Sequence, residues 1–332
     1  MSGSSIAYHL RPNKAIDRNL FIDLLSRVGR VRNISDYEYI GFGGPFLEDF
    51  KAMHTVLRIK RMHSIESDEN TYARQLFNTP FKFVTLHKMS SDDFFRDHQF
   101  SENGTVVWLD YTSAADLKSQ LDEFRSVVAG AGYFDVVKIT LNAHPASIPG
   151  TLAPGKTHRE VRLERLQETI GEYLPASAKE DDLSPANYPR LLLECLRNSV
   201  VKLSEGETNR YFQILTSFIY QDGQQMLTVT GIVLDASNEA VKRDFLATSR
   251  ISFWPFANLD WRQPDSISVP SLSAKERLKL DESLPVEGDD ATVAEALKAS
   301  LGYVPGQEES IDQLANYARY YRAYPHFSRV IL

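Results

Sequence analysis

The chain has 332 residues, and a hydrophobic content of 42% is sufficient for a sizeable buried core in one large domain with additions or in two domains. The formal net charge is −7, so no global positive field favours nucleic acid, although a local basic surface is compatible with this balance. A single cysteine, Cys195, excludes an intramolecular disulfide and any metal site built from several cysteines.

The chain begins with a predicted helix over residues 13–30, where the apolar side chains fall broadly on one helical face and Gly29 can end the helix. We expect residues 1–36 to form an N-terminal helical arm. The start of the chain lacks the apolar region of a signal peptide, and no segment approaches 18 uninterrupted apolar residues, so we expect a cytoplasmic protein without a membrane anchor.

Strand and helix patterns alternate between residues 37 and 143. Apolar or β-branched runs predict strands, and helical candidates lie between them. The predicted strands are 37–42, 61–66, 81–87, 105–110 and 133–143, and the predicted helices are 46–59, 68–78 and 115–129. This alternation predicts a parallel sheet of right-handed crossover units, with central strands buried on both faces.

The pattern changes after the fifth strand. Helices are predicted over 156–173 and 185–203, and two strand-like runs then follow in succession, at 210–221 and 225–235. The Asp222-Gly223 pair between these runs is a strong signal for a β-hairpin. We therefore expect one α/β domain over residues 37–250 that closes with antiparallel strands.

Residues 251–332 are predicted to form a mostly helical C-terminal extension, either packed on the main domain or serving as an interaction module. Helices are predicted over 272–283, 291–301 and 309–322. The first of them begins with Ser273 and Glu276 at the spacing of a capping box.

A glycine-rich turn and an acidic residue form the first candidate site. Gly41, Gly43 and Gly44 follow the first strand, and because they carry no Cβ, backbone can approach a ligand closely there. Glu66 ends the next strand, 22 residues after Gly44, and one carboxylate can accept hydrogen bonds from both ribose hydroxyls. The pair favours an adenosine-type ligand, and an ordinary strand-to-helix turn is the alternative.

Several segments together resemble the class I S-adenosylmethionine-dependent methyltransferase superfamily: GFGGP at 41–45, HSIESD at 63–68, SSDDFF at 90–95, WLDYT at 108–112 and the hairpin 210–235. The chain also looks like the bacterial family described as putative O-methyltransferases. The resemblance implies a Rossmann-like, seven-stranded α/β sheet with a terminal antiparallel hairpin, and S-adenosylmethionine as the cofactor.

The resemblance also implies roles in cofactor binding. The amino-acid part of S-adenosylmethionine would lie against Gly41, Phe42, Gly43 and Gly44. Glu66 would bind the ribose hydroxyls, with Ser67 or Asp68 beside the adenine. Asp92 would accept a hydrogen bond from the adenine amino group, with Asp93 as the alternative register. A competing interpretation is that Ser91 and Asp92 only cap the following helix.

For catalysis, the resemblance places Asp110, at the end of the fourth strand, nearest to the methyl group and the acceptor, where it would also contact the cofactor. Its carboxylate could orient or deprotonate a nucleophile, with Tyr111 directly beside it, or it could cap the next helix. His144, after the fifth strand, is a candidate general base, and Asn142 is a second-tier candidate. No histidine pair has metal-ligand spacing on a helix, so we expect no metal.

Two departures from the superfamily pattern bear on function. Tyr39 and Pro45 alter the usual glycine turn, and LDYTS lacks the prolines of nucleic-acid amino-methyltransferases. The favoured function is methyl transfer to an oxygen atom of an acceptor, with a small molecule favoured over nucleic acid. The alternative is a catalytically inactive methyltransferase-like scaffold that binds a protein or nucleic acid, and a homo-oligomer also stays open.

Overall fold

The structure is a computed structural model that describes residues 11–113, 116–152, 154–201, 203, 209–305 and 311–325. The chain divides into two compact units. The first contains Ile22–Ile219 and Gln224–Asp265, and the second contains the described parts of Ile6–Phe21 and Ser266–Leu332 together with Tyr220–Gly223. Within the described ranges, no helix is long and apolar enough to cross a membrane.

Strands and helices alternate through the first half of the chain, after a leading helix α1 at Pro12–Val28. The five strands are β1 Glu38–Gly41, β2 Arg61–Ile65, β3 Val84–His87, β4 Thr105–Asp110 and β5 Val136–Asn142. The helices between them are α2 Glu48–Leu57, α3 Glu69–Asn78, α4 Ser91–Asp97 and α5 Leu117–Gly130. The alternation predicted from the sequence is confirmed.

After the five parallel strands, the sheet continues with an antiparallel strand pair. Helices α6 (His158–Ile170) and α7 (Tyr188–Val201) are followed by the long strands β6 (Arg210–Gln221) and β7 (Gln225–Asp235), and β7 pairs antiparallel with β5. Helix α8 covers Glu239–Ser249, and a short strand β8 covers Asp265–Ile267. The sheet order is β3-β2-β1-β4-β5-β7-β6-β8, so the predicted Rossmann-like sheet and its terminal hairpin are confirmed, with β8 as an eighth strand.

The core of the first unit lies around β4 and β5, whose residues are buried on both faces apart from the last residue of β4. Residues from α5 and α7 pack into the same hydrophobic cluster as these strands: Leu121, Phe124, Leu192, Cys195 and Leu196. Burial raises the pKa of the Cys195 thiol to about 12, with a contribution from nearby Glu194. Cys195 is therefore an inert core residue, as its helical spacing indicated.

The second unit contains the first part of α1 and the helices α9 Ala274–Asp281, α10 Asp290–Leu301 and α11 Ile311–Tyr320. The predicted capping box at Ser273 and Glu276 is present at the start of α9. The tip of the β6–β7 hairpin is held by Asp222, whose carboxylate accepts hydrogen bonds from the Asn13 side chain at 3.0 Å and the Lys14 backbone amide at 2.7 Å.

Candidate active site

The carboxyl ends of the five parallel strands meet at one edge of the sheet. Gly41, the last residue of β1, is paired with Ser64 of β2 and with Trp108 of β4, and Asp110 at the end of β4 is paired with Thr140 of β5. The segments that follow these strands therefore leave the sheet from the same edge. This is the edge at which ligands bind in open parallel sheets.

The glycine turn that follows β1 contains two residues in the left-handed region, Gly43 with φ 67° and Gly44 with φ 53°. A Cβ at Gly43 would lie 2.6 Å from Leu47 Cδ2 and from Ser64 Oγ, whereas a Cβ at Gly44 would meet no atom within 4 Å. The two glycines therefore serve different purposes: Gly43 allows the turn to pack inside the protein, and Gly44 leaves open backbone that a ligand can approach.

A fully buried side chain on α3, Gln75, holds this turn. Its Nε2 donates to the carbonyl oxygens of Phe42 at 2.9 Å and Gly44 at 3.0 Å, and its Oε1 accepts from Ser64 Oγ at 3.1 Å. Three residues later, Asn78 Nδ2 donates to the Pro45 carbonyl at 2.9 Å. The turn's carbonyl groups are therefore satisfied by two amides on one face of α3. Neither amide stands out in the sequence as a site residue.

Glu66 follows β2 with its side chain partly buried. Its backbone amide donates to the His87 carbonyl at 2.9 Å, and its Oε1 accepts from the Asp68 amide at 2.8 Å. Burial raises the pKa of Glu66, and the hydrogen bonds from the Asp68 and Ser67 amides oppose this effect. The Glu66 carboxylate, one oxygen of which already accepts a backbone hydrogen bond, has acceptor capacity left for ligand hydroxyls.

The two residues after Glu66 are oriented differently from each other. Asp68 is the N-cap of α3, where its carboxylate accepts the Thr71 amide at 2.8 Å. Ser67 is exposed. The Asp68 carboxylate is thus committed to the helix cap, and Ser67 is the residue of the pair that is accessible to a ligand.

Asp92 lies in the first turn of α4, with its side chain 76% exposed and its carboxylate 2.6 Å from Arg96 Nη2. The N-cap of α4 is Ser90, whose side chain accepts the Asp93 amide at 3.2 Å. The alternative that Ser91 and Asp92 cap this helix is therefore wrong, because the helix begins at Ser91 and the cap precedes it. Asp92 is left at the helix surface, where an adenine amino group could reach it.

At the end of β4, Asp110 is partly buried, and the next residue, Tyr111, turns into the fold. The Tyr111 ring packs edge-on against Phe42, with 5.3 Å between ring centroids, and its hydroxyl is buried. Burial and the negative charge of Glu123 raise the pKa of Tyr111, so its hydroxyl keeps its proton. The alternative that Asp110 caps the next helix is wrong, because α5 begins at Leu117 with Asp116 at the N-cap position.

After β5, Asn142 Oδ1 accepts the His144 backbone amide at 3.1 Å, and Asn142 Nδ2 lies 3.5 Å from the Thr112 carbonyl beyond β4. The His144 Nδ1 accepts the Ala146 amide at 3.2 Å. From this bond we assign the neutral tautomer with hydrogen on Nε2. In this tautomer, Nε2 of His144 can donate a hydrogen bond.

Glu38, at the start of β1, forms a cluster with histidines that were not predicted to be site residues. Nε2 of His63 and Nε2 of His98 donate to the two carboxylate oxygens of Glu38 at 2.9 Å and 3.0 Å, and His63 Nδ1 lies 2.9 Å from His87 Nε2. Burial raises the pKa of Glu38, but the hydrogen bonds from His63 and His98 outweigh burial and lower this pKa to about 2. The described residues contain no group of three or more histidine, cysteine, aspartate or glutamate side chains that could hold a metal ion.

Comparison with known proteins gives a family match over almost the whole chain. The family model described as "Putative O-methyltransferase" matches residues 6–332. Among solved structures, the chain is similar to Trm1 from Pyrococcus horikoshii in complex with S-adenosyl-L-methionine, with 9% identity, 91% of this chain and 84% of that chain covered, and a TM-score of 0.46. A search of the curated proteins gave no match.

Two further solved structures are similar over a smaller part of the chain. A protein described as a putative O-methyltransferase from Klebsiella pneumoniae has 12% identity, with 70% of this chain and 92% of that chain covered and a TM-score of 0.35. The N-methyltransferase NodS from Bradyrhizobium japonicum has 9% identity, with 66% and 97% covered and a TM-score of 0.36.

Proposed function

The chain belongs to the putative O-methyltransferase family, and from that membership we propose that it transfers the methyl group of S-adenosylmethionine to an oxygen atom of a small-molecule acceptor. The observation that carries the proposal is the open backbone at Gly44, which lies at the same sheet edge as the Glu66 and Asp110 carboxylates. Such an edge can hold a nucleoside on one side and an acceptor on the other.

The residues of the site fit the methyl donor. A Cβ at Gly44 would meet no protein atom within 4 Å, so the donor's amino-acid part could approach this backbone. The Glu66 carboxylate would accept from the ribose, and the exposed carboxylate of Asp92 would accept from the adenine amino group. When bound, S-adenosylmethionine supplies an electrophilic methyl group on a sulfonium centre.

Asp110 is the residue that would act on the acceptor. A carboxylate at the end of β4 can accept a hydrogen bond from the acceptor hydroxyl, align its oxygen for in-line attack, and take up its proton. Tyr111 keeps its own proton, and the His144 Nε2 hydrogen can donate to the acceptor and orient it. Among the three predicted catalytic residues, Asp110 therefore has the chemistry of the general base.

Donor binding is tested by calorimetry with S-adenosylhomocysteine on the full chain. Binding by the unaltered protein, and a loss of at least about tenfold in affinity in Glu66→Ala, are expected, since a loss of ~1.4 kcal/mol is a factor of ten. Glu69→Ala is the matched control, because Glu69 is 71% exposed and its carboxylate is bonded to Lys88. Absence of binding at millimolar concentration would refute the proposal.

Catalysis is tested by the release of S-adenosylhomocysteine from S-adenosylmethionine in the presence of a panel of phenols and hydroxy acids. Asp110→Asn should keep S-adenosylhomocysteine affinity and lower turnover by at least roughly 100-fold, the usual scale of general base catalysis. Asp116→Asn is the control, because Asp116 lies in the same connection and its side chain makes no cap hydrogen bond. Donor binding without turnover on any acceptor would instead favour the inactive scaffold.

A further inference from the structure

A pocket of about 400 Å³ lies beside α7 and shares no residue with the candidate active site. We name it the α7 pocket. Its charged and aromatic lining residues, together with one glutamine, come from α7 and from the segment before β8: Arg190, Glu194, Arg197, Trp261, Arg262 and Gln263. The volume falls in the range of small-ligand sites.

The segment that carries Trp261 and Arg262 is fixed to β6 by buried polar side chains. Asn258, only 3% exposed, donates from Nδ2 to Ser217 Oγ at 2.7 Å and to the Arg262 carbonyl at 2.8 Å, and its Oδ1 accepts the Arg262 amide at 3.0 Å. Gln213, which is fully buried, donates to the Leu259 carbonyl at 2.9 Å. The Asn258 amide is bonded through both its oxygen and its nitrogen, and a buried amide engaged in this way favours a single loop conformation.

Trp261 has a backbone conformation that non-glycine residues rarely adopt, with φ 54°. Such a conformation persists only where the surrounding structure determines it, and it is frequent at ligand sites. The indole ring packs against Phe212 on the core side, with 6.0 Å between centroids, and it also lines the pocket. The loop therefore offers a fixed aromatic surface on which a planar ring can stack.

The charge of the pocket is opposite to that of the whole chain. Three arginines and one glutamate line it, and Arg190 Nε lies 3.3 Å from Glu194 Oε1 on the same helix. Arg197 and Arg262, both exposed, remain as the excess positive charge, while the chain carries a formal net charge of −7. Guanidinium groups bind phosphate through paired hydrogen bonds, and the amide of Gln263 can donate to and accept from a base edge.

We propose that the α7 pocket binds a nucleoside phosphate, with the base stacked on Trp261 and the phosphate held by Arg197 and Arg262. A neutral aromatic ligand would not use the two arginines, and a simple anion would not use the indole ring. A nucleoside phosphate uses both. It could be a free nucleotide or one nucleotide of a single-stranded RNA, and the site does not depend on the proposed methyl transfer.

The test uses adenosine monophosphate and the full chain, with calorimetry and tryptophan fluorescence as readouts. Saturating S-adenosylhomocysteine is present, so that the donor site cannot take the nucleotide. Arg197→Gln and Arg262→Gln should each weaken nucleotide binding about tenfold, on the scale of one charge-assisted hydrogen bond. Arg243→Gln is the matched control, because the Arg243 side chain is 78% exposed on α8 outside the pocket, and it should leave affinity unchanged.

Stacking is tested with Trp261→Leu, which should abolish the nucleotide-induced quenching and weaken binding at least about tenfold, given the usual strength of base stacking on an aromatic ring. If this variant does not fold, the two exposed arginine variants still decide the outcome. The arginine variants also decide the outcome if S-adenosylhomocysteine does not bind. A loss of nucleotide affinity in Arg197→Gln or Arg262→Gln locates the nucleotide in the α7 pocket, whether or not the donor site is occupied.

A ten-residue single-stranded oligoadenylate distinguishes the two sources of the nucleotide. Affinity at least tenfold above that of adenosine monophosphate supports RNA as the ligand, and equal affinity supports a free nucleotide. Three results would overturn the proposal: no binding of either probe at millimolar concentration, binding that both arginine variants leave unchanged, or binding of inorganic phosphate as tight as that of the nucleotide.

Discussion

Replacing Gln75 by methionine tests whether the glycine turn is held in its ligand-accessible form by the α3 amide. Methionine has a similar length and volume, so it fills the same space without a large cavity. It removes two hydrogen bonds donated to the carbonyls of Phe42 and Gly44 and one accepted from Ser64 Oγ. The substitution thus changes hydrogen bonding at the turn while leaving the glycines in place.

The magnitude follows from the number of bonds. A buried hydrogen bond contributes ~1 kcal/mol net, so the loss of three predicts a fall of about 3 kcal/mol in the free energy of unfolding. The freed turn should also populate other conformations, and we expect S-adenosylhomocysteine to bind at least about tenfold more weakly, which corresponds to ~1.4 kcal/mol. Gln167→Met, on the exposed surface of α6, should change stability by less than ~0.5 kcal/mol.

Urea denaturation measures the free energy of unfolding, and calorimetry measures the affinity for S-adenosylhomocysteine. A free energy of unfolding within ~0.5 kcal/mol of the unaltered protein would contradict the three hydrogen bonds, since a change of that size is typical of a surface substitution. A large loss of stability with unchanged ligand affinity would have a different meaning: Gln75 would stabilise the fold, and the turn would not contact the methyl donor.

Four other substitutions test neighbouring residues. Gly44 has φ 53° and open space around it, so Gly44→Ala should lower the free energy of unfolding by only about 1–2 kcal/mol but weaken S-adenosylhomocysteine binding at least about tenfold. In Gly43→Ala the new Cβ would also meet atoms at 2.6 Å, which should lower the free energy of unfolding by roughly 1–3 kcal/mol more. Equal stability of the two variants in urea would contradict this difference. The pKa of Glu38 is about 2 in the fold, compared with an ordinary value of 4.5. This difference corresponds to ~3 kcal/mol of stability, which is fully present above pH 4.5 and is lost as the pH falls toward 2. Glu38→Gln should therefore be less stable than the unaltered protein at pH 7, and this difference should shrink to roughly half at pH 3 and vanish below pH 2; a difference that stays constant with pH would refute the linkage. His144→Gln should leave the pH profile of turnover unchanged, because the Ala146 amide occupies Nδ1 of His144; loss of an ionisation from that profile would show that His144 is the base.

The parts of the fold that the sequence predicted are those with a strong local pattern. Buried apolar runs identified β4 and β5, and Asp222-Gly223 identified the hairpin between β6 and β7 because this turn type needs such residues. Helix α8 and strand β8 were not predicted. The buried residues of α8 are only Phe245 and Ser249, and β8 has three residues, which are too few to show a period of two.

The sequence could predict at which edge of the sheet the candidate residues lie, but not the hydrogen bonds around them, and the reason is physical. The carboxyl ends of parallel strands lie at the same edge of a sheet. The alternation of strands and helices therefore predicted that Glu66 and Asp110 lie at one edge. Gln75 was not recognisable from the sequence, because its partners are the backbone carbonyls of Gly44 and Phe42, 31 and 33 positions away. Every residue has a backbone carbonyl, so the sequence does not indicate which of them a glutamine will bond. The state of His144 depends on where the Ala146 amide points, and that of Tyr111 on burial. Because backbone engages His144 Nδ1 and burial raises the pKa of Tyr111, we propose Asp110 as the residue that takes up the proton of the acceptor.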